Sequence, residues 1–371
     1  MKAVILVGGF GTRLRPLTVN TPKPMLPLVG TPFIEWMLTN LRDQGIDEAI
    51  LCVQYLADRF RTALGDGSRL GMKVHIIEEP EPRGTAGAVK HVAHLLDDTT
   101  FVFNGDVMTD LDLQAMLAFH RAKQSQLTIA LTPVEDPTAF GLVETTAEGR
   151  ITRFLEKPKP EEVTTNMINA GTYIIEPHLF DDIPANQHYM FERGLFPSTL
   201  QKNHPMYGFA SDAYWTDIGK PQTYLDVHHD IINGKVRFAL PGSQIKPNLW
   251  VGSNVSIAAD VAFHGPVVVC DGAQIAAGCV ITGPTIIGAQ TRIGAGSAIT
   301  ASVIWQENHL GPDMVVSHSV IGHRNHIAAG VKIHNGTIIS DDTVIDGDNS
   351  LDRGVRVWPG TTLGKQSISF S

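Results

Sequence analysis

Hydrophobic residues follow two different patterns along this chain, and the change falls near residue 235. In the first part, short apolar runs at residues 3–7, 49–53 and 127–132 alternate with segments whose apolar positions recur every three or four residues. The runs predict buried strands, and the recurrence predicts amphipathic helices. Regular alternation of the two predicts an α/β domain over residues 1–235, with a Rossmann-like, mostly parallel sheet covered on both faces.

The second pattern is a repeat of six residues. An aliphatic or aromatic side chain returns at every sixth position from Ile245 to Trp305, and the period resumes in a new phase from Val315 to Leu363. A period of six fits neither a helix nor a simple strand, and it predicts short strands that turn corners and stack as a parallel β-helix. It resembles the hexapeptide repeats of left-handed β-helices, so residues 236–371 are predicted to form such a domain. The phase change at residues 306–314 predicts a loop that protrudes from one corner.

Composition narrows the class of protein. The 371 residues are 43% hydrophobic and 18% charged, as in ordinary globular proteins, and the net charge is −9. This charge argues against a nucleic-acid or anionic-membrane partner. The three cysteines lack metal-binding spacing and cannot all pair, which favours a cytoplasmic location. No apolar run approaches the roughly 20 residues of a transmembrane helix.

The first strand leads directly into the segment GGFGTRLRPLTVNTPKP, residues 8–24. Glycines after a strand let backbone N–H groups approach phosphates closely, and Arg13 and Lys23 add positive charge. The segment lacks the Gly-Lys-Ser/Thr of a Walker loop, and Leu14 stands where a dinucleotide fingerprint needs its third glycine. The residues therefore predict a different kind of triphosphate-binding loop.

This segment closely resembles the N-terminal signature of the sugar-nucleotide pyrophosphorylases, which are nucleotidyltransferases acting on sugar 1-phosphates. The resemblance implies that a sugar 1-phosphate attacks the α-phosphorus of a nucleoside triphosphate and that pyrophosphate leaves. It also implies that Arg13 binds the leaving phosphates and that Lys23 lies near the α-phosphate. The nucleotide contacts it implies in this segment are Gly8, Gly9, Gly11, Thr12 and Arg13.

Two aspartates are candidates for binding Mg²⁺. Asp106 follows Asn104-Gly105 at the end of an apolar run, and Asp217 lies in the segment Trp-Thr-Asp-Ile-Gly. Mg²⁺ prefers one or two carboxylates together with substrate phosphates. Both segments resemble the metal-binding motifs of the family, so Mg²⁺ is the expected cofactor.

Four further residues are expected to bind the sugar 1-phosphate. The resemblance implies that Lys157 binds the phosphate of the sugar 1-phosphate and that Glu156 binds sugar hydroxyls. It implies further sugar contacts from Asn169 and from the backbone around Gly141. A carboxylate and an amide suit hydroxyl groups, which both donate and accept hydrogen bonds.

The identity of the nucleotide base is predicted from a segment that begins with Glu78 and Glu79 and continues to Gly84 and Thr85. A carboxylate can accept both the N1–H and N2–H₂ donors of guanine, and the segment resembles the guanylyltransferase branch of the family. GTP is therefore the expected nucleotide, and the resemblance implies mannose 1-phosphate as the sugar substrate. The chain has two extra residues here and Arg83 in place of leucine, which leaves open which glutamate reads the base. The nucleotide contacts expected outside the loop are Glu79, Gly84, Thr85 and Gly105.

Several alternatives stay open at this point. The chain could be a glucose-1-phosphate thymidylyl-, uridylyl- or guanylyltransferase, or a regulatory subunit that binds a nucleotide sugar without turning it over. His318, His323 and His326 in the repeat raise a third alternative, a bifunctional enzyme whose β-helix is also an acyltransferase. The simpler interpretation is that these histidines face solvent. Because stacked coils expose flat edges, the β-helix is expected to mediate homo-oligomer formation.

Overall fold

The computed structural model describes residues 1–370, which divide into two units. The first comprises Met1–Phe10 and Ile34–Asp217, and the second comprises Gly11–Phe33 together with the chain from Ile218 onward. The boundary predicted at residues 235 and 236 lies between the helix Pro221–Ile232 and the first strand of the repeat, Ser243–Lys246.

The first unit is built on a mixed, largely parallel sheet. Lys2–Leu6 lies at its centre, parallel to Glu48–Val53 on one side and to Thr100–Asn104 on the other. In spatial order the strands are Ile151–Glu156, Gly141–Thr145, Met167–Ile175, Thr100–Asn104, Lys2–Leu6, Glu48–Val53 and Lys73–Glu78; Leu127–Pro133 pairs with Met167–Ile175, and Met206–Ala210 with Leu127–Pro133. The apolar runs that predicted strands are buried within this sheet, as expected for strands covered on both faces.

Helices connect the strands of the first unit. The α-helices are Phe33–Asp43, Ala57–Leu64, Gly84–Val92, Leu113–Ala122 and Phe196–Gln201, the last preceded by a π-helical turn at Phe191–Leu195. Short 3₁₀ turns lie at Ser68–Leu70, Ala93–Leu95, Pro137–Ala139, Pro160–Glu162 and Pro177–Asp182. Together these elements confirm the predicted Rossmann-like α/β architecture.

The repeat forms a left-handed parallel β-helix with three sheets. One sheet stacks Leu249–Val251, Val267–Val269, Thr285–Ile287, Val303–Ile304, Val320–Ile321, Ile338–Ile339 and Arg356–Val357, with Ser243–Lys246 antiparallel at its start. The second stacks Ser256–Ile257, Gln274–Ile275, Arg292–Ile293, His309–Leu310, His326–Ile327, Val344–Ile345 and Thr362–Leu363. The third stacks Ala262–His264, Val280–Thr282, Ala298–Thr300, Val315–Ser317, Lys332–Ile333 and Ser350–Leu351.

The prediction of a protruding loop at residues 306–314 is wrong. Ile281 pairs with Ile299, 18 residues on, whereas Ile287 pairs with Ile304, 17 residues on. This coil and the next, in which Ile304 pairs with Ile321, are therefore each one residue shorter. His309–Leu310 continues the second sheet through the predicted loop. Ile304 and Val316 occupy the core positions that the six-residue period had given to Trp305 and Val315, and Leu310, inside the predicted loop, is also a core residue.

Residues 11–33 belong to the second unit because they bond to the helix Pro221–Ile232 and to the β-helix. The Ser340 hydroxyl donates to the Pro16 carbonyl at 3.0 Å, and the Arg356 guanidinium donates to the Arg15 carbonyl at 2.8 Å. Farther along, the Tyr224 hydroxyl donates to the Pro27 carbonyl. Within the segment, 3₁₀ turns at Thr12–Leu14 and Lys23–Met25 are followed by a hairpin of Pro27–Leu28 and Thr31–Pro32.

Candidate functional site

In the first unit, the glycine loop begins where the central strand Lys2–Leu6 ends. A Cβ added to Gly8 would lie 2.8 Å from the Cδ of Gln54, so a larger residue would displace that side chain. Gly9 has open space around it. The predicted contacts Gly8 and Gly9 thus lie at the carboxyl end of a parallel strand, where α/β folds bind ligands.

In the second unit, the rest of the loop is held by contacts of its own. Gly11 has a φ of 59°, and a Cβ there would lie 3.0 Å from Thr18 and 3.2 Å from the Cβ of Lys23. The Thr18 hydroxyl donates to the Gly11 carbonyl at 2.8 Å. Thr12 and Arg13 are exposed on a 3₁₀ turn, whereas the Lys23 side chain is 8% exposed. The segment therefore presents Arg13 to solvent and keeps the stem of Lys23 packed.

The two aspartates lie on neighbouring strands of the first unit. Gly105 precedes Asp106, and its N–H donates to the Leu6 carbonyl at 2.9 Å. The strands Val107–Thr109 and Trp215–Asp217 are antiparallel, with Asp217 opposite Val107. This register brings Asp106 and Asp217 to the same end of a two-stranded sheet. Two carboxylates fit a Mg²⁺ that takes its remaining ligands from phosphates and water. Among residues 1–370, no group of three or more metal-binding side chains is found.

The predicted sugar residues Gly141, Glu156 and Lys157 lie together at one edge of the sheet. Glu156 pairs with Gly141, where an added Cβ would lie 2.6 Å from Phe154 and 3.2 Å from Glu156 Oε2. Lys157 has a φ of 51°, uncommon for a residue with a side chain, and its N–H donates to the Phe140 carbonyl at 2.9 Å. The strand therefore ends in a fixed turn that carries both charged side chains.

Asn169 bonds to neighbouring groups of its own strand. Its Nδ2 donates to the Tyr173 hydroxyl at 2.9 Å, and its Oδ1 accepts from the Gly171 N–H at 2.9 Å. An amide has two N–H groups and two lone pairs on its oxygen, so these bonds orient the side chain and still leave capacity for a sugar hydroxyl.

The two adjacent glutamates have different environments. Glu78 is exposed and pairs with Arg61 at 2.9 Å. Glu79 is 5% exposed, and its Oε2 accepts from Gln54 Nε2 at 3.1 Å and from the Arg83 N–H at 3.3 Å. Burial raises the pKa of Glu79, and these two hydrogen bonds oppose that rise. The structure therefore separates an exposed ion-pair residue from a buried carboxylate beside Gln54.

Gly84 and Thr85 begin a helix that packs against residues 189–192. A Cβ on Gly84 would lie 2.8 Å from the Tyr189 carbonyl oxygen. The Thr85 hydroxyl accepts from the Phe191 N–H at 2.8 Å and donates to Glu192 at 3.3 Å. Thr85 is therefore a link between two segments, a role that the sequence did not indicate.

Sequence reasoning missed Gln54 and Glu192. Gln54 follows the strand Glu48–Val53 directly, so its position at the carboxyl end of a predicted strand was the signal that could have identified it. Glu192 carried no comparable signal, because its partner Thr85 is 107 residues away. Burial raises the pKa of Glu192.

The histidines of the repeat differ from one another. His318 and His326 are exposed, as expected for a solenoid surface. His323 is not solvent-facing: its ring packs on Trp305, with centroids 4.6 Å apart, and burial lowers its pKa to about 4. Among the helices of residues 1–370, none is long and apolar enough to cross a membrane.

Comparison with known proteins identifies the family. Residues 2–234 match the model of the nucleotidyl transferase family, and residues 246–351 match the left-handed β-helix domain of the EIF2B epsilon subunit. A mannose-1-phosphate guanylyltransferase of Mycobacterium tuberculosis is 41% identical over 74% of this chain and 76% of its own length. A UTP–glucose-1-phosphate uridylyltransferase of Synechocystis is 34% identical over 84% of each chain.

A solved structure agrees with these sequence relatives. HddC from Yersinia pseudotuberculosis, complexed with GMP-PN, is 30% identical with a TM-score of 0.54, and the match covers 62% of this chain and 99% of HddC. The strand-end loop, the paired aspartates and these relatives agree, and the chain belongs to the nucleotidyl transferase family, as a nucleotidyltransferase of the sugar-nucleotide type.

Proposed function

We propose that this protein transfers GMP from GTP to mannose 1-phosphate, giving GDP-mannose and pyrophosphate, with Mg²⁺ as cofactor. The observation that carries the choice of base is the buried Glu79, held by Gln54 and by the Arg83 N–H. The Mycobacterium tuberculosis relative, named for this reaction, and the HddC complex with GMP-PN support the same choice.

The reaction needs no nucleophilic side chain, because a phosphate oxygen of the sugar 1-phosphate attacks the α-phosphorus and pyrophosphate leaves. The protein has to align these groups and neutralise their charge. Arg13 would neutralise the leaving phosphates, and Lys23 and Lys157 would neutralise the two phosphates that become joined. Asp106 and Asp217 would hold Mg²⁺, which supplies further positive charge to the phosphates when it is bound.

Glu79 would recognise guanine by accepting hydrogen bonds from N1–H and N2–H₂. Thymine and uracil have carbonyl oxygens on both sides of a single N3–H. These oxygens would be repelled by the oxygens of a carboxylate. Gln54 and the Arg83 N–H orient the Glu79 carboxylate by donating to its Oε2. Glu156 and Asn169 would contact the sugar hydroxyls, with the backbone at Gly141.

The test is pyrophosphate release with Mg²⁺ from GTP, dTTP, UTP and ATP, each with mannose or glucose 1-phosphate. We expect the highest kcat/KM for GTP with mannose 1-phosphate. A maximum for UTP and glucose 1-phosphate would refute the base and sugar assignment and match the Synechocystis relative. Absence of release from every pair would indicate a regulatory subunit.

A matched pair of variants tests the role of Glu79. Glu79→Gln should lower kcat/KM for GTP about tenfold or more, since a paired base contact contributes about 1–3 kcal/mol. Glu78→Gln makes the same chemical change at the exposed neighbour and should leave kcat/KM within about twofold. Equal effects of the two substitutions would contradict the assignment.

We also propose a cytoplasmic location and a homo-oligomer formed through the β-helix. All three cysteines are buried free thiols, which a reducing compartment preserves. Within residues 1–370, Arg356–Val357 and Thr362–Leu363 each pair with a single neighbouring strand, and unpaired strand edges can pair with another chain. Gel filtration with light scattering tests the assembly, and a monomer at micromolar concentration would refute it.

A further inference from the structure

The second unit contains a cavity of about 140 Å³, here called the Trp305 cavity. It is lined on one side by Val29 and Gly30 of the hairpin that follows Lys23, and on the other by the β-helix residues Ile286, Ile304 and Trp305. Protein interiors hold few voids larger than a water molecule. A space of this size between the phosphate-binding segment and the β-helix therefore needs an explanation.

The cavity opens to solvent and is apolar inside. Gly30, Asp271 and Gln306 are exposed, whereas Ile304 and Trp305 are at most 3% exposed. Buried apolar walls, one aromatic side chain and a polar rim are the usual features of a small-molecule site.

One lining residue has a buried ring nitrogen without a hydrogen-bond partner among residues 1–370. The Nδ1 of His323 is buried and makes no hydrogen bond with any group among residues 1–370. His323 lies against Trp305, with ring centroids 4.6 Å apart, and burial lowers its pKa to about 4, so the ring is neutral near pH 7. By contrast, both ring nitrogens of His228, which also lines the cavity, lie within 3.2 Å of backbone carbonyls.

Size and polarity define the occupant. A cavity of about 150 Å³ in another protein binds benzene and stays free of water, because a buried water needs two to four polar partners. Among the described residues, the lining contains no lysine or arginine to neutralise a phosphate or carboxylate, and a sugar would need several partners for its hydroxyls. We propose that the Trp305 cavity binds one uncharged aromatic ring bearing a hydrogen-bonding group, and that the His323 side chain turns so that its Nδ1 pairs with this group.

Such a ligand would act on the phosphate-binding segment, a consequence that rests on the proposed function. The Pro27 carbonyl accepts from the Tyr224 hydroxyl, and Tyr224 in turn accepts from the Trp305 indole at 3.0 Å. The wall of the cavity is thus bonded to the hairpin that begins four residues after Lys23. Occupancy should change the KM for GTP without the ligand entering the substrate site.

The experiment compares phenol with toluene, two rings of similar size that differ in the hydroxyl group. With the full-length protein, we expect saturable binding of phenol by calorimetry and a rise in melting temperature. Toluene should bind about three- to tenfold more weakly, the effect of one hydrogen bond. Failure of both compounds to bind would overturn the proposal, whether or not the enzyme releases pyrophosphate.

Three variants locate the binding. Ala289→Leu fills the cavity from its partly exposed side and should abolish binding of both rings; unchanged binding would place the rings elsewhere and refute the site. His323→Phe keeps the ring against Trp305 and should erase the preference for phenol over toluene. His326→Phe, the same change at an exposed position, should retain that preference.

The link to catalysis has its own readout. Phenol at saturation should shift the KM for GTP at least twofold in the unmodified enzyme and leave it unchanged in Ala289→Leu. A KM that does not move while phenol binds would refute the link and leave the binding site supported. Basal pyrophosphate release without phenol reports on the proposed function separately.

Discussion

The hydroxyl of Tyr224 joins three parts of the second unit, and its removal gives a prediction with a definite magnitude. Tyr224 is fully buried in the helix Pro221–Ile232, donates to the Pro27 carbonyl and accepts from the Trp305 indole N–H at 3.0 Å. Tyr224→Phe keeps the ring and removes both bonds. We expect a loss of stability without a change of fold.

The cost follows from what each partner loses. The Trp305 N–H becomes a buried donor without a partner, which costs about 1–3 kcal/mol. The Pro27 carbonyl loses one hydrogen bond, whose ordinary net value is about 1 kcal/mol. Tyr224→Phe should therefore lower the free energy of unfolding by about 2–4 kcal/mol.

The assay is urea unfolding followed by circular dichroism and tryptophan fluorescence. Trp305→Phe identifies the transition of the second unit by the fluorescence amplitude that it removes. Because the two substitutions break the same bond, the double variant should lose about 1 kcal/mol less than the sum of the single variants. Tyr207→Phe, at a partly exposed ring against Phe119, should cost less than about 0.5 kcal/mol.

Two results would refute this reasoning. Additive effects of Tyr224→Phe and Trp305→Phe would show that the bond between them contributes nothing. A cost for Tyr224→Phe as small as that of Tyr207→Phe would show that the Pro27 carbonyl and the Trp305 N–H find other partners.

Three further predictions concern other parts of the molecule. Asp106→Asn should lower kcat on the order of a hundredfold or more, since a metal ion supplies several kcal/mol of charge stabilisation. The control is Asp112→Asn, the same change at a residue whose side chain caps a helix. A near-normal kcat for Asp106→Asn would contradict the metal assignment. Burial lowers the pKa of His228 to about 4, so the imidazole of the unfolded chain takes up a proton at a higher pH than that of the folded chain. The free energy of unfolding should therefore fall by roughly 3 kcal/mol as the pH drops from 6.5 to 4. In His228→Gln, the free energy of unfolding should change less over this pH range. Ser340→Ala should raise the KM for GTP about fivefold with little change in kcat, because it frees the Pro16 carbonyl near Arg13, and an unchanged KM would contradict that role.

The architecture could be predicted because each coil of the β-helix must bury an aliphatic side chain, which leaves a period in the sequence. The prediction from the six-residue period was wrong at a point where two apolar residues are adjacent. Ile304 and Trp305 both suit a core, and the pattern extended to Trp305, whereas the structure buries Ile304 in the coil and packs Trp305 on Tyr224. Two successive coils that are each one residue shorter, from Ile287 to Ile304 and from Ile304 to Ile321, account for the shift without a loop.

The candidate site could be predicted as far as residues near in sequence or at strand ends define it. Asp106 and Asp217 are 111 residues apart, yet the register of two short strands places them at one end of a small sheet. The sequence could not choose between Glu78 and Glu79, because the choice depends on which side chain the packing around Gln54 buries. That packing involves no local signal.

The position of the signature segment was the least predictable feature, and it changes how the β-helix is understood. The segment reads as the start of the catalytic domain, but the carbonyls of Arg15 and Pro16 accept hydrogen bonds from residues more than 320 positions later. A backbone carbonyl offers a partner to any donor, so no sequence pattern reveals such a bond. These bonds hold the chain two and three residues after Arg13, the side chain proposed to bind the leaving phosphates. The β-helix would then contribute to catalysis by fixing that segment, and Ser340→Ala separates this role from simple assembly, because it leaves every coil of the solenoid intact.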